Sequence, residues 1–347
     1  MKIDLSSALS RRDFLKLTGY GMLSLLLPDM PLLAAQPQAY LKDQQGRVTD
    51  DLLWTYSQPS FESKRLKMYW RDIIVPITGA TISEDQEAHN RIWYELGDDG
   101  FAYSGAIQPV HTLLNQPLTG IPADGLLGEI SVPYTDALEA ADPTAKVSHR
   151  LYYETVHWIM EAVTGADGNI WYRLLEDKYN TFYYIPARHI RVIPERELAP
   201  LSTDVPASRK KIEVYLERQL VLAYENGRLV FASRASTGRK VRAGKWDTPT
   251  GHFMTYYKRP TRHMAAGDIA SNGFDLPGVP WVLYITQSGI SFHGTYWHND
   301  YGRPRSHGCI NLTPQAAKWL YRWTMPVVAP DEQYAYEFSG TAVEIIE

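Results

Sequence analysis

Apolar and polar positions alternate along the C-terminal part of this chain, as they do in half-buried β-strands. Every second residue from Ile212 to Leu216 is apolar, and the dipeptide Asn226-Gly227 lies between two further apolar runs. Asn-Gly in that setting is the strongest short-range signal for a β-hairpin. We therefore predict a β-rich domain over residues 209–347 that opens with a hairpin.

A helix and a closing strand extend this pattern. Thr313-Pro314 supplies a helix N-cap and first position, and apolar residues recur at helical spacing up to about Met325. The tail 340–347 alternates and predicts a strand. By contrast, 256–278 is long, polar and rich in Gly, Arg and Asp. We predict a loop there, either a lid or acceptor-recognition loop or a disordered segment.

An aromatic repeat precedes this domain. The segment Ile92–Leu96, IWYEL, recurs as Ile170–Leu174, IWYRL, and each copy continues through an acidic turn to a tyrosine. Self-similarity of this kind predicts two copies of one small β unit. Because a buried Trp commonly anchors such a unit, we predict that Trp93 and Trp171 are core residues.

The pattern divides the chain into seven segments. We predict a targeting segment at 1–36, a linker at 37–65, the first β unit at 66–118 and an excursion between the units at 119–145. The second β unit follows at 146–195, a second linker at 196–208 and the C-terminal domain at 209–347.

The targeting segment is identified from its N-terminal pattern. Ser10–Lys16, SRRDFLK, resembles a twin-arginine export signal, and the apolar stretch Leu17–Leu27 is too short to cross about 30 Å of hydrocarbon. The resemblance implies export through the twin-arginine pathway to the periplasm or outer cell envelope. The sequence leaves open whether the signal is removed or retained as an anchor.

Composition adds two restrictions. The formal net charge is −4, from 35 basic and 39 acidic residues in 347, which gives no electrostatic footprint for nucleic acid. Cysteine occurs once, at Cys309, so an exported chain of this kind carries no internal disulfide. Its lone thiol is either an inert buried residue or a reactive one.

The neighbours of Cys309 favour reactivity. A cysteine attacks as its thiolate, so it needs a base or cation nearby. His293 and His307 both qualify, because a strand ending near His293 and the polar loop that follows it can return to Ser306. Gly308 allows a tight backbone turn that can aim N–H groups at an oxyanion. A metal site of His293, His298 and His307 is an alternative, but we predict no metal and no cofactor.

These residues carry a family resemblance. His293-Gly294 and the run Ser306–Asn311, SHGCIN, resemble the signature of L,D-transpeptidase (YkuD-like) catalytic domains, and a Thr-Pro-Thr-Gly turn at 248–251 extends the likeness upstream. The resemblance implies Cys309 as nucleophile, His293 as base and the Gly294 carbonyl as the group that orients its ring. It implies that His307 shapes the pocket, and it assigns substrate binding to Ser306, Gly308 and Asn311.

The same resemblance implies a reaction. Cys309 would attack a peptidoglycan stem peptide, release D-alanine and pass the acyl group to the amine of a second stem, cross-linking two third residues. With water as acceptor the chain would be an L,D-carboxypeptidase, and a non-catalytic wall-binding protein is a further alternative. We expect a monomer, with stem peptides as donor and acceptor.

The aromatic repeats resemble bacterial SH3-like domains. The predicted fold is therefore mainly β, with two small SH3-like barrels followed by the L,D-transpeptidase-like domain and a short helix after the cysteine. The repeats would either bind glycan or stem peptide, or act as a spacer.

Overall fold

The structure is a computed structural model, and it describes residues 44–241, 244–268 and 273–347. Strands in five sheets dominate these residues, and one α-helix follows the cysteine. The prediction of a mainly β chain with one short helix is confirmed. Within the described ranges, no helix is long and apolar enough to cross a membrane. The predicted targeting segment 1–36 lies outside them.

The first β unit contains two sheets around a small apolar core. Its strands are β1 (Gln45–Val48), β2 (Leu52–Tyr56), β3 (Arg65–Trp70), β4 (Ile74–Pro76), β5 (Gly79–Ile82), β6 (Ile92–Glu95), β7 (Phe101–Tyr103) and β8 (Ile107–Val110). The sheet orders are β4-β1-β8 and β3-β2-β7-β6-β5. The core includes Val48, Leu53 and Leu96.

The predicted linker 37–65 is wrong over its second half. β1 pairs with β4 and β8, and β2 pairs with β3 and β7, so both strands belong to the first unit. The sequence misled because β1 is polar in composition. Its Arg47 side chain is nevertheless buried, where it donates to Gln108 and Asp72.

The second β unit is a seven-stranded sheet of order β11-β10-β14-β13-β12-β9-β15. Its strands are β9 (Leu126–Ile130), β10 (Tyr134–Leu138), β11 (Val147–Tyr152), β12 (Val156–Thr164), β13 (Ile170–Glu176), β14 (Thr181–Pro186) and β15 (Ile190–Val192). The predicted excursion 119–145 is therefore wrong where β9 and β10 lie. Gly128 there packs under Ile190, and only a residue without Cβ fits so closely.

The aromatic repeat has a structural counterpart. β6 and β7 in the first unit, and β13 and β14 in the second, form antiparallel pairs followed by a 3-10 turn and a short strand. Trp93 and Trp171 are 2% and 3% exposed, so the prediction that both are core residues is confirmed. The SH3-like assignment of the two units stays a prediction.

The C-terminal domain pairs two five-stranded sheets with one helix. Its strands are β16 (Lys210–Tyr215), β17 (Leu220–Glu225), β18 (Arg228–Arg234), β19 (Gly251–Met254), β20 (Tyr257–Ala266), β21 (Phe274–Tyr284), β22 (Ser291–Gly294), β23 (Ile310–Leu312), β24 (Ala335–Tyr336) and β25 (Ala342–Ile346), and its helix is α1 (Pro314–Trp323). The sheet orders are β18-β17-β16-β25-β19 and β23-β22-β21-β20-β24. Their apolar faces and α1 enclose one core.

Local signals predicted several of these elements. The Asn226-Gly227 hairpin is present, with both residues at positive φ (50° and 76°), as a type I′ turn requires. Thr313 caps α1 by accepting from Ala316 N at 3.2 Å. The tail forms β25, which lies parallel to β16 and antiparallel to β19.

The predicted loop 256–278 is instead the long hairpin β20–β21. Its strands are polar because they pack against the second β unit rather than against solvent. Arg262 donates to Asp177 at 2.7 Å, and Thr261 Oγ1 donates to the Val156 carbonyl. The hairpin therefore ties the C-terminal domain to the second unit.

A buried carboxylate is among the contacts between the first unit and the C-terminal domain. Asp300, which is fully buried, accepts from His89 Nε2 and Tyr103 Oη, both at 2.7 Å, and from Arg305 at 2.8 Å. These contacts lower the pKa of Asp300 even though burial opposes ionisation. The loop between β22 and β23 is thereby fixed from both sides.

Candidate active site

Parallel pairing of β22 and β23 places the predicted site residues on one face. Phe292 lies opposite Ile310 and both are in the core. Successive side chains point to opposite faces of a strand. Ser291 and His293 therefore lie on the other face, together with Cys309 and Asn311.

Cys309 is partly buried beside Ser291. Its Sγ lies 3.7 Å from Ser291 Oγ and 3.8 Å from the Gly289 carbonyl oxygen, to which the thiol donates. Burial raises the pKa of the Cys309 thiol, while hydrogen bonds from the backbone and hydroxyl of Ser291 oppose that rise. Burial outweighs these favourable contacts, so the resting thiol is protonated.

His293 is 2% exposed, and its tautomer is set by a backbone contact. Its Nδ1 lies 3.0 Å from the Gly294 carbonyl oxygen, which can only accept. Nδ1 therefore carries the proton of the neutral ring, and Nε2 has the lone pair. Burial lowers the pKa of His293 to about 4, so the ring is neutral at physiological pH. A neutral imidazole with a free lone pair can act as a general base.

The turn before Cys309 depends on glycine. Gly308 has φ of 131°, and a Cβ there would lie 3.2 Å from the Asp247 carbonyl oxygen. Its N–H donates to Ser306 Oγ at 3.0 Å, and its carbonyl accepts from Thr248 Oγ1 at 2.7 Å. The Gly308 N–H is thus engaged within the turn, and the expectation that the turn aims other backbone N–H groups at an oxyanion stays a prediction.

Ser306 closes the turn. Its Oγ donates to the Cys309 carbonyl at 2.6 Å while accepting from Gly308 N. The Thr237 carbonyl accepts from Ser306 N at 3.0 Å, and Thr237 N donates to Gln219 Oε1 at 2.7 Å. These contacts hold the nucleophile turn onto the rest of the sheet. A contact of Ser306 or Gly308 with substrate stays a prediction.

Asn311 lies beneath the site. It is 1% exposed, and its amide is 3.1 Å from His298 Nε2. Asp300 N donates to His298 Nδ1 at 3.2 Å, and burial lowers the pKa of His298 to about 3. Asn311 thus braces the loop after β22 within the protein, and its predicted contact with substrate is not tested by this geometry.

His307 lies on the outer side of the site. Its side chain is exposed, and its ring stacks at 6.1 Å and 28° on Phe274, the first residue of β21. The hairpin β20–β21 therefore borders the nucleophile. This position suits a residue that shapes the pocket, and the role itself stays a prediction.

Two residues that lie next to Cys309 and His293 were not predicted from the sequence to belong to the site. Ser291 contacts Cys309, and the Trp297 ring packs on His293 with centroids 5.6 Å apart. The period of two along a strand could have indicated Ser291, which is two residues before His293. Trp297 had no such signal, because its loop returns to the site only through tertiary packing.

The alternative metal site does not form from the predicted histidines. His293 Nδ1 is engaged by Gly294, both nitrogens of His298 have protein partners, and His307 is exposed. Among the described residues, the group that could hold a metal consists of other side chains, His149, His263 and Asp275.

A family model matches the C-terminal domain. Residues 209–345 match the model of the YkuD family, described as the L,D-transpeptidase catalytic domain. L,D-transpeptidase 1 of Mycobacterium tuberculosis is 33% identical over 103 residues, which are 28% of this chain and 39% of that protein. The chain thus spans about two fifths of the length of the curated relatives it matches.

The solved structures that this chain resembles match it with low overall scores. An L,D-transpeptidase from Mycobacterium smegmatis is 17% identical with a TM-score of 0.33, covering 51% of this chain and 90% of that one. The catalytic domain from Enterococcus faecium L,D-transpeptidase, acylated by ertapenem, is 24% identical with a TM-score of 0.30, covering 40% and 97%. The match over residues 209–345 shows that the C-terminal domain of this chain is similar to the YkuD family of L,D-transpeptidase catalytic domains.

Proposed function

We propose that this chain is a peptidoglycan L,D-transpeptidase that works through an acyl-enzyme on Cys309. The observation that carries the proposal is the placement of Cys309 and His293 on one face of the β22–β23 pair, with His293 Nε2 as the unprotonated ring nitrogen. The match of residues 209–345 to the L,D-transpeptidase catalytic domain supports the proposed substrate class, stem peptides of the cell wall.

The first half-reaction forms a thioester. The Cys309 S–H proton passes to His293 Nε2 as sulfur bonds to the carbonyl carbon of the third residue. The C–N bond to the terminal D-alanine then breaks, and the imidazolium returns the proton to the leaving amine. Because the pKa of the thiol is raised and that of His293 is lowered, neither group ionises alone, and proton transfer is coupled to attack.

The second half-reaction decides the product. A side-chain amine of a neighbouring stem attacks the thioester carbonyl, loses its proton to His293 and releases the Cys309 thiol, leaving a new amide cross-link. Water in the same position gives a tripeptide, the L,D-carboxypeptidase outcome. We favour transpeptidation because the exposed His307–Phe274 wall beside Cys309 can cover an acceptor.

Product analysis separates these outcomes. Purified tetrapeptide stem whose side-chain amine is acetylated, and so cannot act as acceptor, is incubated with the full chain, with and without a tripeptide acceptor, and the products are identified by mass spectrometry. Transpeptidation predicts a cross-linked dimer and free D-alanine only with acceptor, whereas tripeptide without dimer would identify a carboxypeptidase. Cys309→Ala should form neither product, and His252→Ala, an exposed histidine on β19, should behave as the parent. Turnover by Cys309→Ala would overturn the proposal.

Export and wall binding are part of the same proposal. The resemblance of residues 1–36 to a twin-arginine signal favours export, and the two N-terminal β units would raise local substrate concentration by holding the enzyme to the wall. Removing 44–200 would leave half-buried contacts of β20–β21 uncovered. The sharper test is therefore whether the full-length Cys309→Ala chain binds isolated sacculi.

A further inference from the structure

Four titratable side chains from two parts of the fold converge away from Cys309. His149 is on β11 and Glu176 ends β13, both in the second β unit, while His263 is on β20 and contacts the Asp275 side chain on β21. The candidate ligand atoms of His149, His263 and Asp275 all lie within 4.8 Å of one another. We call these four residues the His263 cluster.

Glu176 fixes the orientation of the His263 ring. Its carboxylate accepts from Lys178 N at 3.1 Å and from Tyr179 N at 2.6 Å, so it is held as an acceptor. It also contacts His263 Nδ1, which must therefore donate. In the neutral ring, the lone pair is then on Nε2.

That lone pair points at a second acceptor. His263 Nε2 contacts the Asp275 carboxylate, and both His263 and Glu176 are buried. Two acceptors held face to face in a buried place repel one another unless a cation lies between them. The cation can be a proton or a metal ion.

His149 favours the metal ion. Its Nδ1 contacts Ser148 Oγ at 2.9 Å, and its Nε2 lies 3.8 Å from Asp275 Oδ2. The distance is long for a hydrogen bond but suits two ligands of one ion. The His149 ring also meets the His263 ring edge-on, with centroids 5.4 Å apart, so the two imidazoles converge on Asp275 from different strands.

We propose that the His263 cluster binds a zinc ion through Nε2 of His149, Nε2 of His263 and the carboxylate of Asp275. Two imidazoles and one carboxylate are a known donor set for Zn²⁺. Glu176 orients a ligating imidazole through its other nitrogen, as outer carboxylates do in zinc proteins. His149 and Asp275 also line a cavity of about 310 Å³, which leaves room for water as a fourth ligand.

Two arginines beside the cavity do not oppose the positive charge of a bound zinc ion. Arg150, which lines it, is paired with Asp136 at 2.8 Å and with Asp72 at 3.2 Å. Arg47 is paired with Asp72 at 2.8 Å. These two arginines are therefore compensated by their own carboxylates.

The ion would fix the hairpin that borders the nucleophile. Asp275 follows Phe274, whose ring stacks on His307. Zinc at the cluster would link β20 and β21 to β11 and so hold Phe274 in place. The site is structural and separate from the chemistry at Cys309.

Zinc binding is measured in the full chain without a polyhistidine tag, in a Cys309→Ala background that removes the active-site thiol as a competing ligand. After equilibrium dialysis against Zn²⁺, metal analysis should give one ion per chain, and zinc should raise the melting temperature. His149→Ala should weaken binding at least tenfold and abolish the thermal shift, and Asp275→Asn should do the same. His252→Ala, with an exposed histidine outside the cluster, should bind as the parent.

His149 is partly exposed, so its truncation leaves a folded chain, which the melting temperature without zinc verifies. Failure of the parent to bind zinc would overturn the inference and leave a proton between His263 and Asp275. Equal zinc binding by folded His149→Ala would overturn it as well. Neither result depends on turnover, so the test stands apart from the proposed function.

Discussion

His293 carries its proton on Nδ1 because the Gly294 carbonyl accepts it at 3.0 Å, which leaves Nε2 as the atom that can take a proton from the thiol. Burial lowers the pKa of the ring to about 4, and burial raises that of Cys309. The resting pair is therefore neutral, unlike a preformed thiolate–imidazolium pair. Attack must be assisted by the base.

This neutral pair predicts a pH profile. His293 must be neutral to accept the proton. The acylation rate should therefore fall only as pH drops through about 4, where His293 becomes protonated, well below the ordinary histidine pKa of roughly 6.5. Single-turnover acylation followed from pH 4 to 8 tests this. An acid limb near 6.5 would contradict the assigned environment. His293→Gln should lower the rate by roughly 10²- to 10⁴-fold at every pH.

Gly308 predicts a sharp steric effect. Its φ of 131° is unfavourable for any residue with a Cβ, and that Cβ would crowd the Asp247 carbonyl. Gly308→Ala should reduce acylation by about 10²-fold through displacement of Sγ and cost about 1–3 kcal/mol in unfolding free energy. Gly227→Ala, with open space around it, is the matched control for glycine at positive φ. An active Gly308→Ala enzyme would show that the turn is not required.

At the scale of elements, α1 ends on buried lysines. Lys258 of β20 donates to the Tyr321 carbonyl at 2.6 Å and to the Thr324 carbonyl at 2.8 Å, and Lys210 of β16 donates to the Trp323 carbonyl at 2.9 Å. Cationic donors satisfy the last carbonyls of a helix and suit the negative end of its dipole. Both sheets are thus anchored to the same helix end.

Removal of one anchor should be costly. Lys258→Met keeps the aliphatic stem but leaves two buried carbonyls without their donor, so the unfolding free energy should fall by about 1–3 kcal/mol. Denaturant titration measures the change. Lys146→Met, which removes a surface pair with Glu139, should fall within about 0.5 kcal/mol of the parent. Equal stability of both variants would contradict the anchoring role.

Elements with local signals could be predicted from the sequence. The Asn226-Gly227 turn and the Thr313 cap each depend on neighbouring residues only. The strands β20 and β21 could not be predicted, since residues such as Arg262 find partners in the second unit. A polar strand whose side chains bind carboxylates far away in the sequence has the composition of a loop, and the sequence alone does not show those partners.

At the scale of the whole molecule, the site was predictable to the extent that its residues form a motif. Cys309 and His293 could be identified from the sequence because a reactive thiol needs a base nearby, and histidines accompany the lone cysteine. The parallel β22–β23 register that aligns them, and the Asp300 contacts that fix the loop between, join residues far apart in sequence. No local pattern encodes those distances.

Buried histidines predict an acid-sensitive fold. Burial lowers the pKa of His157 to about 3, of His293 to about 4 and of His298 to about 3, so the unfolded chain binds more protons below about pH 6.5. Stability from these groups is present above that pH and is lost as pH falls towards 4, at up to about 1.4 kcal/mol per pH unit each. Burial raises the pKa of Glu154 to about 8, so the folded chain binds one more proton there than the unfolded chain does. This partly offsets the loss of stability at the histidines.

The unfolding free energy should therefore fall between pH 6.5 and 5, a window above the ordinary range of carboxyl groups. Denaturant titrations at several pH values measure the slope. His298→Asn should reduce this slope by the contribution of one titrating group, up to about 1.4 kcal/mol per pH unit, relative to the parent. A free energy that stays level over this window would contradict the burial of neutral histidines.

The central claim is that Cys309 is an acylatable nucleophile served by His293. A carbapenem presents a strained carbonyl and stays attached after attack, so intact mass after incubation with one tests the claim most directly. We predict one adduct per chain, located by peptide mapping on Cys309, absent from Cys309→Ala and formed at least 10²-fold more slowly by His293→Gln. A parent chain that stays unmodified, or an adduct that persists in Cys309→Ala, would contradict it.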